Sequence, residues 1–176
     1  MKYKARHVFF LALTAVCLAG SIGWTSGSLS DRESSIGNVF TSWTSTLWKQ
    51  ATQQDFAAGV LNSVDISSSG NVTLAANCTS GTIASRVLDT GIPGTRWDAL
   101  FWDETLPIST NVTFEVRASD ALFGANETSP SWASPEAASP IISGLPSGRY
   151  KQWKATLSTS DISRTPVLSD VRVYYH

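Results

Sequence analysis

The chain has 176 residues, of which 42% are hydrophobic and only 15% charged, and its formal net charge is −1. That length carries one domain of ordinary size plus a targeting piece, and a near-neutral balance excludes the basic stripe that a nucleic-acid backbone demands of its partners. Ser and Thr stand where charge is missing, and together with 12 Gly, 7 Pro and a single Met they favour short strands joined by turns over long helices.

Lys2, Lys4, Arg6 and His7 make a basic opening, and no charged side chain follows between Val8 and Ser30. The strongly apolar run from Val8 to Ile22 ends in the small residues Gly20, Ser21 and Gly23. A charged start, an apolar stretch and a small-residue exit are the anatomy of a secretory signal peptide, expected over residues 1–23. The alternative is a retained anchor helix, although the run falls short of the ~20 residues that span a bilayer. Membrane contact is expected through this segment alone, and only if it stays uncleaved. Its removal takes Lys2, Lys4 and Arg6 away and leaves 10 basic against 14 acidic residues, a balance of −4. Val16 ahead of Cys17 argues against lipid attachment at that cysteine. Cys78 is then the one mature thiol, so no internal disulfide is expected. His176 is the one histidine after the leader, which leaves Cys78 without a base for nucleophilic chemistry.

Residues 24–58 form a Ser-, Thr- and Trp-rich segment with apolar points at Val39, Phe40, Trp43, Leu47, Trp48 and Phe56. Their spacing fits both a strand near 36–43 and a short helix near 45–58. From Gly59 to His176 the sequence predicts a sandwich domain. Val60, Val64 and Ile66 lead into the turn Ser67-Ser68-Ser69-Gly70 and a short strand from Asn71 to Ala76. Period-two alternation follows over Thr82–Leu88, Trp97–Asp103, Asn111–Ser119, Arg149–Ser158 and Val167–Tyr175. Val112, Phe114, Val116 and Ala118 share one face while Thr113, Glu115 and Arg117 share the other. One face is dry and the other wet, as in antiparallel sheets that each cover a core. The expected class is therefore all-β, an antiparallel β-sandwich of jelly-roll type behind a signal or anchor helix. Residues 119–141, with Pro130, Pro135 and Pro140, are too irregular for a strand and are expected as a loop folded over one end of the sandwich. A long loop in a compact domain is frequently functional.

Two resemblances accompany these patterns. Leu29-Ser-Asp-Arg-Glu-Ser-Ser-Ile-Gly-Asn-Val-Phe40 resembles the opening of mature TasA/camelysin-type exported surface proteins, which implies export; Arg32 departs from the usual Thr. The blocks Trp97-x-x-Leu100-x-Trp102, Thr110–Asp120, Gly148–Leu157 and Thr165–Tyr175 are similar to discoidin-like, galactose-binding-type β-sandwich modules of secreted prokaryotic proteins. This second resemblance covers about half the chain and implies a fold and an extracellular setting more than a ligand. Lys151 stands where such modules usually carry an aliphatic residue, which marks either a sheet edge or a special contact.

Asp89, Asp98, Asp103, Glu104 and Asp120 could supply the carboxylate pair of a small extracellular hydrolase, but none lies in a motif and each falls where Asp caps turns. The sequence therefore predicts no catalytic residue and no metal site, with structural calcium as the only cofactor considered. Periodicity assigns Trp153 and Trp102 to the core and leaves Trp132, in the loop, available to a ligand. Trp132, Asn126, Phe123 and Asp120 are the candidate binding residues. Asn71, Asn77, Asn111 and Asn126 begin Asn-x-Thr sequons and are candidate glycosylation sites that must face solvent if used. The expected function is that of a secreted or cell-surface, non-catalytic module for binding or surface assembly. Its partners would be a surface glycan or another surface protein, with self-association through an added strand, and the alternative is a carbohydrate-binding module.

Overall fold

The computed structural model describes residues 44–135, 139–141 and 143–176. The expected leader over 1–23, its anchor alternative and the strand considered near 36–43 lie outside the described residues. Among the described residues, ten strands and one short helix follow one another: β1 Thr46–Gln50, α1 Gln53–Ala57, β2 Val60–Asn62, β3 Val64–Ile66, β4 Val72–Leu74, β5 Ser80–Ala84, β6 Leu88–Asp89, β7 Trp97–Thr105, β8 Thr110–Ser119, β9 Tyr150–Thr159 and β10 Val167–Tyr175.

They form two antiparallel five-stranded sheets. In the first, β10 is central; β7 runs along one edge of it, while β1 and the β4–β3 hairpin share the other. In the second, β9 is central; β8 pairs along one edge in unbroken register from Thr110↔Thr159 to Ser119↔Tyr150, and β5 and β6 share the other, with β2 beyond β5. The two sheets thus repeat one plan, a long strand flanked by one long strand and by two short ones end to end. The all-β, sandwich-like character expected from the alternation is what the structure has.

The inward residues explain why the sheets face each other. Trp153, Ala155 and Leu157 of β9, Val112, Phe114 and Val116 of β8, Leu100 and Trp102 of β7, and Leu168, Val171 and Val173 of β10 are all buried in one cluster. Trp102 and Phe114, from opposite sheets, have ring centroids 4.3 Å apart, and Phe114 lies 5.7 Å from Trp153. Such aromatic contacts add to area burial. Leu168 and Val171 are three residues apart, so strict alternation would point one of them outward. A register shift between Leu168 and Asp170 acts as a bulge at Ser169 and returns both to the core.

The segment before Gly59 contributes to this core. Gln50, at the end of β1, accepts the Trp153 Nε1 proton on its Oε1 at 2.9 Å and donates from Nε2 to the Asp55 carbonyl at 3.0 Å. Thr52 caps α1 through a reciprocal pair: its hydroxyl accepts from the Asp55 amide while Asp55 Oδ2 accepts from the Thr52 amide. That arrangement satisfies two otherwise orphaned helix N–H groups. Phe56, on the same turn, stands edge-on to Trp153 at 6.3 Å. Residues 46–57 therefore divide into a strand and a helical turn, and β1 completes the first sheet of its own chain ahead of the boundary the sequence places at Gly59. The turn Ser67–Gly70 forms as expected; Gly70, with φ of 83°, donates to the Ser67 carbonyl at 2.9 Å, a conformation that glycine adopts at little cost.

The expected loop follows a different course from the one the sequence suggests. Instead of capping an end, it leaves β8 at Asp120, crosses the outer face of the second sheet, and turns along the open side of the sandwich. Ala133 exchanges backbone hydrogen bonds with Val116 of β8 at 2.8 and 2.9 Å, and Ile141 does so with Leu100 of β7 at 2.9 Å both ways. The outer edges of β7 and β8 would otherwise leave N–H and C=O groups unpaired. Ile141 is buried in the core, which explains why the strap is drawn to that side.

If alternation across β9 carries the core, Trp153→Ala will cost about 3 to 5 kcal/mol. Thr156→Ala, whose side chain is on the outer face, will cost roughly 1 kcal/mol or less. Urea unfolding of the two variants measures the contrast.

Candidate binding groove

The strap is organised by one side chain. Arg117 occupies the outward phase of β8, where the sequence predicts a wet position, yet it is buried. Its Nε donates to Gln152 Oε1 at 2.8 Å; Nη1 donates to the carbonyls of Glu127 and Pro130 at 2.6 and 3.3 Å; Nη2 donates to those of Gly124 and Ala125 at 3.3 and 3.1 Å. All five guanidinium donors are thereby used. The rings of Phe123 and Trp132 lie over the same guanidinium, with centroids 4.6 and 4.4 Å from Cζ, close enough for cation–π attraction. Burial pushes the Arg117 guanidinium below its ordinary value, and the Glu127 carboxylate partly offsets this. Gln152, directly opposite on β9, completes the network by donating to the Ser85 and Ala125 carbonyls at 2.6 and 3.3 Å.

Between this pinned loop and the sheet runs a groove of about 350 Å³, lined by Val60, Thr82, Ala84, Ala125, Asn126, Glu127, Thr128, Trp132 and Lys154. Its floor is the outward face of β2, β5 and β9, and its wall is the loop with Trp132. Lys154 Nζ pairs with Glu115 at 2.5 Å and lies 4.5 Å from the Trp132 centroid. The volume falls within the range of small-molecule sites, about 300 to 1,000 Å³. An aromatic wall beside a threonine hydroxyl, an amide and an ammonium can hold a flat, hydroxyl-rich ligand by stacking and hydrogen bonding.

The four sequence candidates separate here. Trp132, half-buried, and Asn126, exposed, line the groove. Phe123 lies beneath the loop against Arg117, buried, and its role is to seat the guanidinium. Asp120 lies at the end of the sandwich, where its Oδ1 accepts from the amides of Gly94 at 2.7 Å and Arg149 at 2.9 Å; these bonds hold its carboxyl below the usual carboxylate range. Arg117, Lys154 and Thr82 were not singled out by the sequence. The signal available for Arg117 was a long cation in the outward phase of a strand that leads into an aromatic-bearing loop.

Three of the other carboxylates have structural partners. Asp89 accepts from Arg149 Nε and Nη2 at 2.6 and 2.8 Å, Asp103 pairs with Arg172 at 2.7 Å, and Asp98 pairs with His176 Nδ1 and accepts from Ser45 Oγ. Among the described residues no group of three or more His, Cys, Asp or Glu side chains is placed to hold a metal ion. Cys78 is a free, half-buried thiol. Of the sequon asparagines, Asn77, Asn111 and Asn126 are exposed and Asn71 is half-buried.

Lys151 belongs to the central strand β9, paired with Leu88 and Ala118, so of the two readings the special contact holds and the sheet edge does not. It is fully buried, donates from Nζ to the Thr95 carbonyl at 2.6 Å and lies 5.6 Å from the Trp97 ring. Desolvation lowers its pKa to about 7, against smaller opposing effects of Asp98 and Asp120.

No family model matches the chain, and no curated protein sequence matches it.

Two outcomes follow from these burials. Arg117→Lys, which keeps the charge but cannot reach five acceptors, will cost about 2 to 4 kcal/mol and open residues 121–131 to limited proteolysis. Lys151 has a folded pKa of about 7 against 10.5 unfolded, so between those values the unfolded chain binds more protons and stability rises with pH. The penalty is fully present below pH 7 and disappears by about pH 10.5. Its upper bound is about 5 kcal/mol at about 1.4 kcal/mol per pH unit. Lys151→Met will therefore be more stable than the wild type at pH 6.5, and the gap will narrow toward pH 10 in urea titrations.

Proposed function

We propose that this chain is an exported, non-catalytic β-sandwich module of the secretory or cell-surface class, and that it works by binding a surface partner through the groove beside Trp132. The observation that carries this reading is the Arg117 network. A buried cation with every donor satisfied fixes the loop backbone, so the groove wall is preorganised and a ligand does not have to order it. The reading as non-catalytic is supported by Asp89, Asp98, Asp103 and Asp120, which are held by a cation, a histidine or backbone amides. The finer fold assignment, a jelly roll similar to galactose-binding-type modules, is supported by the wiring: β7 and β8 lie in different sheets, as do β9 and β10, while the long strands β8 and β9 are neighbours. Export is supported by the leader pattern of residues 1–23 and by the low charge of the mature sequence.

A second reading is favoured by Trp132 itself. An indole face beside Thr82, Asn126 and Lys154 suits a sugar ring, whose apolar face stacks while its hydroxyls take hydrogen bonds. On this reading the surface partner is a glycan and the protein is a carbohydrate-binding module.

The test uses protein made in a bacterium that adds no sugars, applied to a glycan array and followed by calorimetry of any hit. Trp132→Ala is expected to weaken binding at least tenfold, equivalent to about 1.4 kcal/mol or more. A blank array together with concentration-dependent oligomers in sedimentation would reject the carbohydrate reading in favour of assembly. A hit that Trp132→Ala leaves unchanged would remove the groove from the account.

A further inference from the structure

The four sequons differ in where the structure puts them. Asn71 is half-buried and follows the β3–β4 turn, where Ser67 Oγ holds its backbone N–H at 3.0 Å. Asn77 lines a smaller cleft of about 160 Å³ with no aromatic residue in its wall. Asn111 is on β8, paired with Ser158 of β9. At Asn126 alone of the four, the acceptor, the middle residue and the hydroxyl of the sequon, Asn126, Glu127 and Thr128, all line the groove that contains Trp132.

We propose that Asn126 carries an N-linked glycan whose first ring lies in the groove against Trp132, so that the modification closes the site. This rests on the reading of the groove as a carbohydrate-compatible surface of an exported protein. The residues on either side of Asn126 are the ones whose carbonyls Arg117 holds, Ala125 at 3.1 Å and Glu127 at 2.6 Å. Clamped on both sides, the Asn126 backbone keeps one direction, and the attached sugar meets the groove without the entropic cost of ordering a free loop. The floor supplies the Thr82 hydroxyl and the Lys154 ammonium for hydrogen bonds, and the wall supplies the indole. Asn126 and Thr128 are exposed, as a transferase that must reach both requires.

The chemistry is a glycosyl transfer without redox change. The Asn126 side-chain nitrogen forms a bond to the anomeric carbon of an oligosaccharide donor. The bond between that carbon and the phosphate of a polyprenyl-phosphate carrier breaks, and the phosphate leaves with the electron pair. One amide proton passes to a base of the membrane transferase. An attached ring in the groove then competes with any ligand from outside. The unmodified protein is open and the modified protein closed.

The test compares the full chain secreted from a eukaryotic host that glycosylates Asn-x-Ser/Thr with the same chain from a bacterium that does not. Glycopeptide mass spectrometry of the secreted protein is expected to find Asn126 occupied. In that host the wild type is expected to melt about 3 °C or more above Asn126→Gln, which keeps the other sequons. In the bacterial host the two should melt together, and Trp132→Ala should abolish the difference in the first host while leaving Asn126 occupied. Array binding by the secreted wild type should be at least tenfold weaker than by the bacterial protein. Asn126 found unmodified, or occupied with no melting difference from Asn126→Gln, overturns the proposal. A blank array with bacterial protein counts against the groove as an external binding site but leaves the occupancy and melting comparison intact, so the two ideas fail separately.

Discussion

Every second side chain of β9, and of β10 once the bulge at Ser169 is passed, turns into the space between the sheets, and the fold depends on those side chains meeting partners of matching size there. Trp153 is the centre of this contact. Phe114 and Phe56 pack against its ring, and its indole N–H is satisfied by Gln50 from the opposite sheet. A buried indole without an acceptor incurs a desolvation cost, which the bond from β1 removes for Trp153 but which Trp97 and Trp102 bear. Once the inward phase is set, the outward phase follows automatically. Arg117, Gln152 and Lys154 must then stand together on the far face of the second sheet, and the groove is a consequence of that register.

The outer network works on a different principle from the core. A guanidinium taken out of water loses its hydration, and recovers it here from four loop carbonyls, one side-chain amide and two aromatic rings. An arrangement of this kind defines one loop conformation sharply, because partial satisfaction would leave a buried charge exposed to its full desolvation cost. The core supplies most of the favourable free energy, and Arg117 supplies the definition of the groove wall. Lys151 is the converse case. Its ammonium is buried with a single carbonyl partner named at its nitrogen, and burial therefore drives it toward the neutral form.

Much of this was legible in the sequence where the period of two was long. The strands β7 to β10 run nine or ten residues each; in β8 and β9 the apolar phase matches the core face throughout, while β7 and β10 each shift phase once, between Ala99 and Leu100 and at Ser169. Trp102 and Trp153 were readable as core on that ground. The shorter elements were harder. Residues 46–57 mix a strand and a capped helical turn within a dozen positions, too few for either period to declare itself, and the contact that recruits them, Gln50 to Trp153, spans 103 residues. The course of the strap was illegible for a related reason: Arg117 satisfies the outward pattern of β8 perfectly well as a solvated charge, and only the distant carbonyls reveal it as a buried one. Trp132 and Asn126, which line the groove, could be singled out in the sequence because the loop was long and its aromatic had no periodic partner. The residues that line the groove with them, Thr82 and Lys154, looked like ordinary outward positions of a sheet.

The central claim is that the long loop is a built wall held to the sheet, and amide hydrogen exchange tests it most directly. The Ala133 amide donates to the Val116 carbonyl at 2.8 Å, so the account predicts that it exchanges within roughly tenfold of the slow Trp153 amide in the middle of β9, since both would open only when the sandwich opens. An Ala133 amide that exchanges at the rate of an unstructured peptide, while Trp153 stays protected, would contradict it.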